Sequence, residues 1–241
     1  MKNEATAVFA HLAKVLKLIE DDLVLALEAY DKANRGGHMA VPREVFCYVD
    51  YLGRLAYGDG NRTTEKAVRY METYFVKANS AYSGKCRLIY TMWRHGVVHE
   101  IDAKVYRSRA KHFELGWLAN SDPHPDNRIW HLACLCNANK RDAYFWTINL
   151  FELVDDLKAS VKHFIRDLQS NSEMLEQTRK NLEDVRAPEY LDAAVKKDLL
   201  LLRQADKVID ETRGIADEHG TVVHKFAHPS EFNSFKKTWR G

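Results

Sequence analysis

The chain has no cysteine pair at CxxC spacing, no GxSxG elbow, no GxGxxG and no glycine loop ending in Lys-Ser or Lys-Thr. Each absence removes a class: the common structural zinc sites, the α/β-hydrolase nucleophile, the dinucleotide fingerprint and the P-loop phosphate cradle. Long apolar runs are also missing; "DLVLAL" and "DLLLLR" are far too short to span a bilayer. The opening "MKNEATAVFAHLAKVLKLIEDD" has early acidic residues and no apolar stretch of signal-peptide type. Charge of one sign is not in excess: the formal net charge is +2, which neither requires nor excludes nucleic acid. No internal repeat or low-complexity segment is evident. These features lead us to expect a soluble cytoplasmic protein with no membrane partner, its four cysteines reduced and mostly buried.

What is present is helical periodicity. Of the 241 residues, 46% are hydrophobic, enough for one large domain with a substantial core. Phe9, Leu12, Leu16, Ile19, Leu23, Leu27 and Tyr30 recur at helical spacing until Gly36 and Gly37. A second helix follows Pro42, with Phe46, Val49, Leu52 and Leu55 facing a core and Gly58 ending it. Thr63 or Thr64 can cap a third, carrying Ala67, Tyr70, Met71, Tyr74 and Phe75. A fourth begins near Lys85, with Cys86, Ile89, Tyr90, Trp93 and Val97 as its stripe.

After about Tyr106 the texture changes. "HFELGWLAN", "RIWHLACLCN" and "AYFWTINLF" are short, aromatic-rich and separated by turn chemistry. They are expected to form a small antiparallel β-meander at about 110–150, with Phe113, Trp117, Trp130, Tyr144, Phe145 and Trp146 mainly in its core. Helical period returns from Phe151, with Leu153, Leu157, Val161, Phe164, Ile165 and Leu168 as its stripe, and Asp155 and Asp156 read as a solvated helix face. Residues 1–169 are read as a helical bundle including the meander. Residues 170–241 are read as a C-terminal helical hairpin, interrupted at Pro188, and a tail.

One stretch carries chemistry. In "YTMWRHGVVHE" an aromatic helix ends in Arg94 and His95, followed by Gly96, two valines, His99 and Glu100. His95 and His99 have the spacing of two zinc ligands on a helix, but Gly96 stands where a zincin has its glutamate, and no third ligand is apparent. No metal and no cofactor are therefore expected. Arg94 and His99 have four residues between them. That spacing alone is weak, since Arg107 and His112 repeat it. In a straight helix residues five apart are rotated by about 140°, so a loosened turn at Gly96, or a helix end there, would be needed to bring both to one cleft. Arg87, Thr91 and Arg94 share a face, a basic stripe suited to phosphate.

This stretch resembles the signature of the HEPN superfamily: an arginine, a polar residue, three mostly apolar residues and a histidine, late in a small helical bundle. "VDYLGRLAYG" and "YMETYF" are similar in style to bacterial members, and the resemblance covers roughly residues 40–110. It implies a mainly α, HEPN-like bundle, with the meander and C-terminal extension as additions. It also implies a metal-independent ribonuclease acting as a homodimer, with two motifs meeting at a cleft. Many such proteins are toxins or phage-defence effectors, so an antitoxin or regulatory protein is a further implied partner. By that resemblance Arg94 and His99 are the catalytic pair and His95 the polar neighbour. Arg87, Glu100 and Tyr106 are candidate RNA-binding residues, Glu100 also being able to orient His99.

The chemistry is self-consistent. RNA supplies its own nucleophile, the 2′-OH; a histidine moves protons near neutrality; an arginine holds the charge that builds on phosphorus. Two other readings stand beside it: a non-catalytic module binding RNA or protein, and a structural oligomerisation protein in which Arg94 and His99 merely finish a helix.

Overall fold

The computed structural model describes residues 2–28, 39–58, 62–95, 105–108, 113–120, 131–136 and 143–186. They are mostly helical, as the periodicity predicts. Helix α1 (Lys2–Ile19) continues through a π-helical turn (Glu20–Val24). Helix α2 is Ala40–Tyr57. Helix α3 (Thr63–Tyr70) runs on through a π-helical turn (Met71–Phe75) and a last α-turn (Val76–Ala78). A 3₁₀ turn (Ser80–Tyr82) leads to α4 (Cys86–Tyr90), which also ends in a π-helical turn (Thr91–His95). After four strands come α5 (Leu150–Ser170) and α6 (Ser172–Arg186).

The π-helical turns have local causes. In α1 the buried residues Val15, Ile19, Leu23 and Leu27 advance in steps of four. An ideal helix turns slightly too far in four residues to keep them aligned, and a wider turn removes that drift. In the other two turns a threonine hydroxyl competes for the backbone. Thr73 donates to the Arg69 carbonyl at 2.8 Å and Thr91 to the Arg87 carbonyl at 2.7 Å, the back-bonding that loosens helices. Neither Thr63 nor Thr64 caps α3: the N-cap is Arg62, without a side-chain bond.

Tyrosines and phenylalanines fill the centre. Tyr70 and Tyr74 pack on Phe164 of α5, with ring centroids at 5.9 and 5.2 Å, and the Tyr70 hydroxyl lies 3.3 Å from Ser160 Oγ. Gly53 lets α2 and α3 touch: a Cβ there would come within 2.8 Å of the Ala67 backbone nitrogen. Gly58, at φ +85°, closes α2, and the orphan Leu55 carbonyl at that end accepts from Asn181 Nδ2 of α6 at 2.9 Å. Helix α6 thus packs within the unit Met1–Ala187. Residues Pro188–Gly241 form a second unit, outside the described residues.

The antiparallel meander is not what forms. The strands are β1 (Tyr106–Ser108), β2 (Phe113–Asn120), β3 (Cys134–Cys136) and β4 (Ala143–Asn149), in the order β1-β2-β4-β3. β2 and β4 run parallel along seven positions, from Glu114–Ala143 to Asn120–Asn149, while β1 and β3 are short antiparallel edges. Turn residues mark where a strand stops; they do not choose its neighbour. The two longest aromatic strands pair at the centre, where Trp146 to Asn149 are buried in succession. Continuous burial of this kind suits a parallel pair. Trp117 of β2 packs on Trp93 after α4, centroids 4.6 Å apart, and so ties the sheet to the helices. Tyr144 is exposed rather than core.

Candidate functional site

Arg94 lies in the π-helical turn Thr91–His95, so the helix loosens before Gly96, beginning at Thr91. A turn closed on the fifth residue rather than the fourth moves residues five apart toward one face. Its guanidinium Nε donates to Asp50 Oδ2 at 2.6 Å, and the Tyr90 hydroxyl donates to Asp50 Oδ1 at 2.5 Å. Asp50 comes from α2, so one carboxylate gathers two side chains from the turn opposite. The side chains are 21% and 14% exposed for Arg94 and Asp50. Partial burial pulls the Arg94 pKa down; the hydrogen bond and charge of Asp50 more than offset this and hold it above its ordinary value. Burial, then Asp50, likewise raises Tyr90, which stays a neutral donor. The bond to Asp50 uses Nε, and among the described residues neither terminal amine of Arg94 has a hydrogen-bond acceptor.

The other expected residues divide. His95 ends the π-helical turn. Tyr106 opens β1, opposite Leu115. His99 and Glu100 lie outside the described residues. Arg87 does not join Arg94; its Nη2 meets Glu65 Oε2 of α3 at 2.5 Å in an exposed ion pair. The Thr91 hydroxyl between them is turned back to the helix. Both described arginines of the expected basic stripe are therefore paired with acids.

Asp50 was hidden in the sequence, one polar residue in an amphipathic helix, with no spacing to connect it to Arg94. A second group was hidden too. Asp155 is exposed, but Asp156, expected in solvent beside it, is buried. Its Oδ2 lies 3.2 Å from His131 Nε2 and accepts from Asn79 Nδ2 at 3.3 Å. The Tyr82 hydroxyl is 3.0 Å from His131 Nε2, and the Asn149 backbone N–H donates to His131 Nδ1 at 3.1 Å. Since Nδ1 accepts, the ring proton sits on Nε2. Burial, then Asp156, pushes the Tyr82 pKa far up. The next residue, Leu132, has φ +59°, rare for a bulky side chain. With His131 and Asp156 side chains 3% and 9% exposed, the group is a clamp joining the sheet to α5. The Asn149 side chain completes it by capping α5, accepting from Glu152 N–H at 3.1 Å.

Of the cysteines, Cys86 is buried, but Cys47 and Cys134 are exposed, against the expectation of mostly buried thiols. Among the described residues no group of three or more His, Cys, Asp or Glu could hold a metal ion, and no helix is long and apolar enough to cross a membrane. No protein-family model, curated protein or solved structure matches the chain.

Proposed function

We propose that the chain is a HEPN-like, metal-independent endoribonuclease, active as a homodimer and suited to a toxin or phage-defence role with an antitoxin or regulatory partner. The observation that carries this reading is the state of Arg94. Asp50 fixes the guanidinium, which is charged at any relevant pH, through Nε, leaving its two terminal amines for a phosphate. In the reaction the 2′-OH loses its proton and the leaving 5′-oxygen gains one, His99 serving as the base or the acid and water as the other partner. The freed 2′-oxygen attacks phosphorus, the P–O5′ bond breaks, and a 2′,3′-cyclic phosphate remains. Arg94 holds the negative charge as it builds. His95 supports the arginine, and Tyr106 and Glu100 border the RNA path.

The test is purified protein with Arg94→Ala and His99→Ala beside it, incubated with labelled RNA and matching DNA in chelator. Cleavage of RNA only, with cyclic-phosphate ends and lost in both variants, is the expected result. Cleavage equal in all three proteins rules the assignment out.

A second reading also has an observation behind it. The Asp50–Arg94–Tyr90 contacts tie α2 to the turn after α4, as a structural ion pair in a non-catalytic binding or oligomerisation module would. Under that reading Arg94→Lys, which keeps the charge, retains most stability and there is no RNA cleavage to lose.

A further inference from the structure

A cleft of about 470 Å³ opens between α1, α2 and α6, sharing no lining residue with the clamp around His131. Its polar wall is a relay. Arg186 Nη2 lies 2.6 Å from His11 Nδ1, and His11 Nε2 meets the Tyr51 hydroxyl. A guanidinium can only donate, so His11 Nδ1 accepts and the ring proton must be on Nε2. Tyr51 then accepts from His11, and its own hydroxyl proton is left to donate; among the described residues no acceptor takes it. Burial, then Arg186, then Lys14, lowers the His11 pKa, in keeping with a neutral ring.

The charges are unbalanced. Arg186 and Lys14 both line the cleft, and among the described residues neither is ion-paired. Glu44 is the single carboxylate of the lining, so the fixed charge is +1. An arginine whose partner is a neutral imidazole has donors to spare for an anion. The rest of the wall is Val15, Leu18, the Cys47 thiol and the rings of Tyr48 and Tyr51. Leu18 is exposed, and the Tyr48 hydroxyl is turned to Asp22 at 3.5 Å, outside the lining. The volume falls in the range of small-molecule sites, roughly 300–1,000 Å³.

We propose that this cleft binds a small aryl monocarboxylate, its carboxylate on Arg186, Lys14 and the Tyr51 hydroxyl, and its ring against Tyr48 and Leu18. A single negative charge matches the lining, and a planar body matches its rings. The site uses neither Arg94 nor His99, so it stands or falls apart from RNA cleavage.

The test is calorimetric titration of the full chain with 2-naphthoate, with 2-naphthamide, octanoate and inorganic phosphate as comparisons. Saturable naphthoate binding is expected, about tenfold or more tighter than the neutral amide. Arg186→Gln should weaken it about tenfold, Tyr51→Phe by several-fold, and Asp155→Ala, outside the lining, not at all. Arg186→Lys, which keeps the charge but loses the fork, should fall between and carries the test if the glutamine variant does not fold. The proposal is overturned by no saturable binding up to about 10 mM, by equal binding of the amide, by tighter binding of octanoate or phosphate, or by binding that Arg186 and Tyr51 variants leave intact.

Discussion

Replacing Asp156 with alanine takes an acceptor from two donors at once, the buried His131 ring and the half-buried Asn79 amide. His131 Nε2 and Asn79 Nδ2 both lose the oxygen 3.2 and 3.3 Å away. Each buried group left without a partner costs about 1–3 kcal/mol. The ring is also fixed from its other side by the Asn149 N–H, so it cannot turn to find water without breaking that bond too. Two fully stranded donors would cost about 2–6 kcal/mol. Because His131 Nε2 keeps the Tyr82 hydroxyl at 3.0 Å, the loss is about 2–4 kcal/mol, still a large part of the roughly 5–15 kcal/mol that holds a domain folded. Asp156→Asn keeps one acceptor oxygen but presents an amide N–H₂ to donors, and should cost about 1–3 kcal/mol. Asp155, its exposed neighbour, provides the control: Asp155→Ala should stay within about 0.5 kcal/mol. Urea unfolding at neutral pH reads all three, with the slope unchanged between proteins. Combining Asp156→Ala with His131→Ala should cost less than the two single losses added. If Asp156→Ala loses under about 1 kcal/mol, or no more than Asp155→Ala, the clamp does not exist as described.

Other outcomes follow from the same physics. Gly53→Ala should destabilise by about 1–3 kcal/mol in urea, because its methyl meets the Ala67 backbone, which cannot give way like a side-chain tip. Asp50→Ala should cost about 2–3 kcal/mol, between exposed and fully buried pairs, and a double-mutant cycle with Arg94→Ala should return positive coupling; additive losses would show that the pair is idle. His11 has a depressed pKa in the fold, so the unfolded chain takes up the proton first as pH falls through about 6.5. Its contribution is present above that value and lost as pH falls toward the folded pKa. Wild type should lose more stability than His11→Gln between about pH 7.5 and 5.5, and parallel pH–stability curves would count against the Arg186–His11 contact.

Helix content and its core faces were legible because they depend on spacing within one segment. Phe46, Val49, Leu52 and Leu55 are buried in α2, and Leu153, Leu157, Val161, Phe164 and Leu168 in α5, where periodicity put them. Arg94 stood out because its charge interrupts an apolar stripe. Asp50 did not, because an acid on an amphipathic helix is ordinary until a partner arrives from elsewhere in the chain. The same holds for His11, Arg186 and Tyr51, three residues from three helices with no common motif. Asp155 and Asp156 are adjacent and chemically identical, yet one faces water and one holds a buried histidine; only the rotation of α5 against the sheet separates them. The sheet order was likewise out of reach, since a strand's own residues set its length and burial but not which strand lies beside it.

The sequence by itself determined local matters: where helices run, which faces are apolar, and where an arginine and two histidines cluster. Tertiary structure alone decided the pairings. It made β2 and β4 parallel neighbours, gave Asp50 to Arg94 and Asp156 to His131, and lined one cleft with unbalanced positive charge. The physical reason is that a side chain's charge and shape are properties of the residue, whereas the partner that satisfies them is set by how distant segments pack.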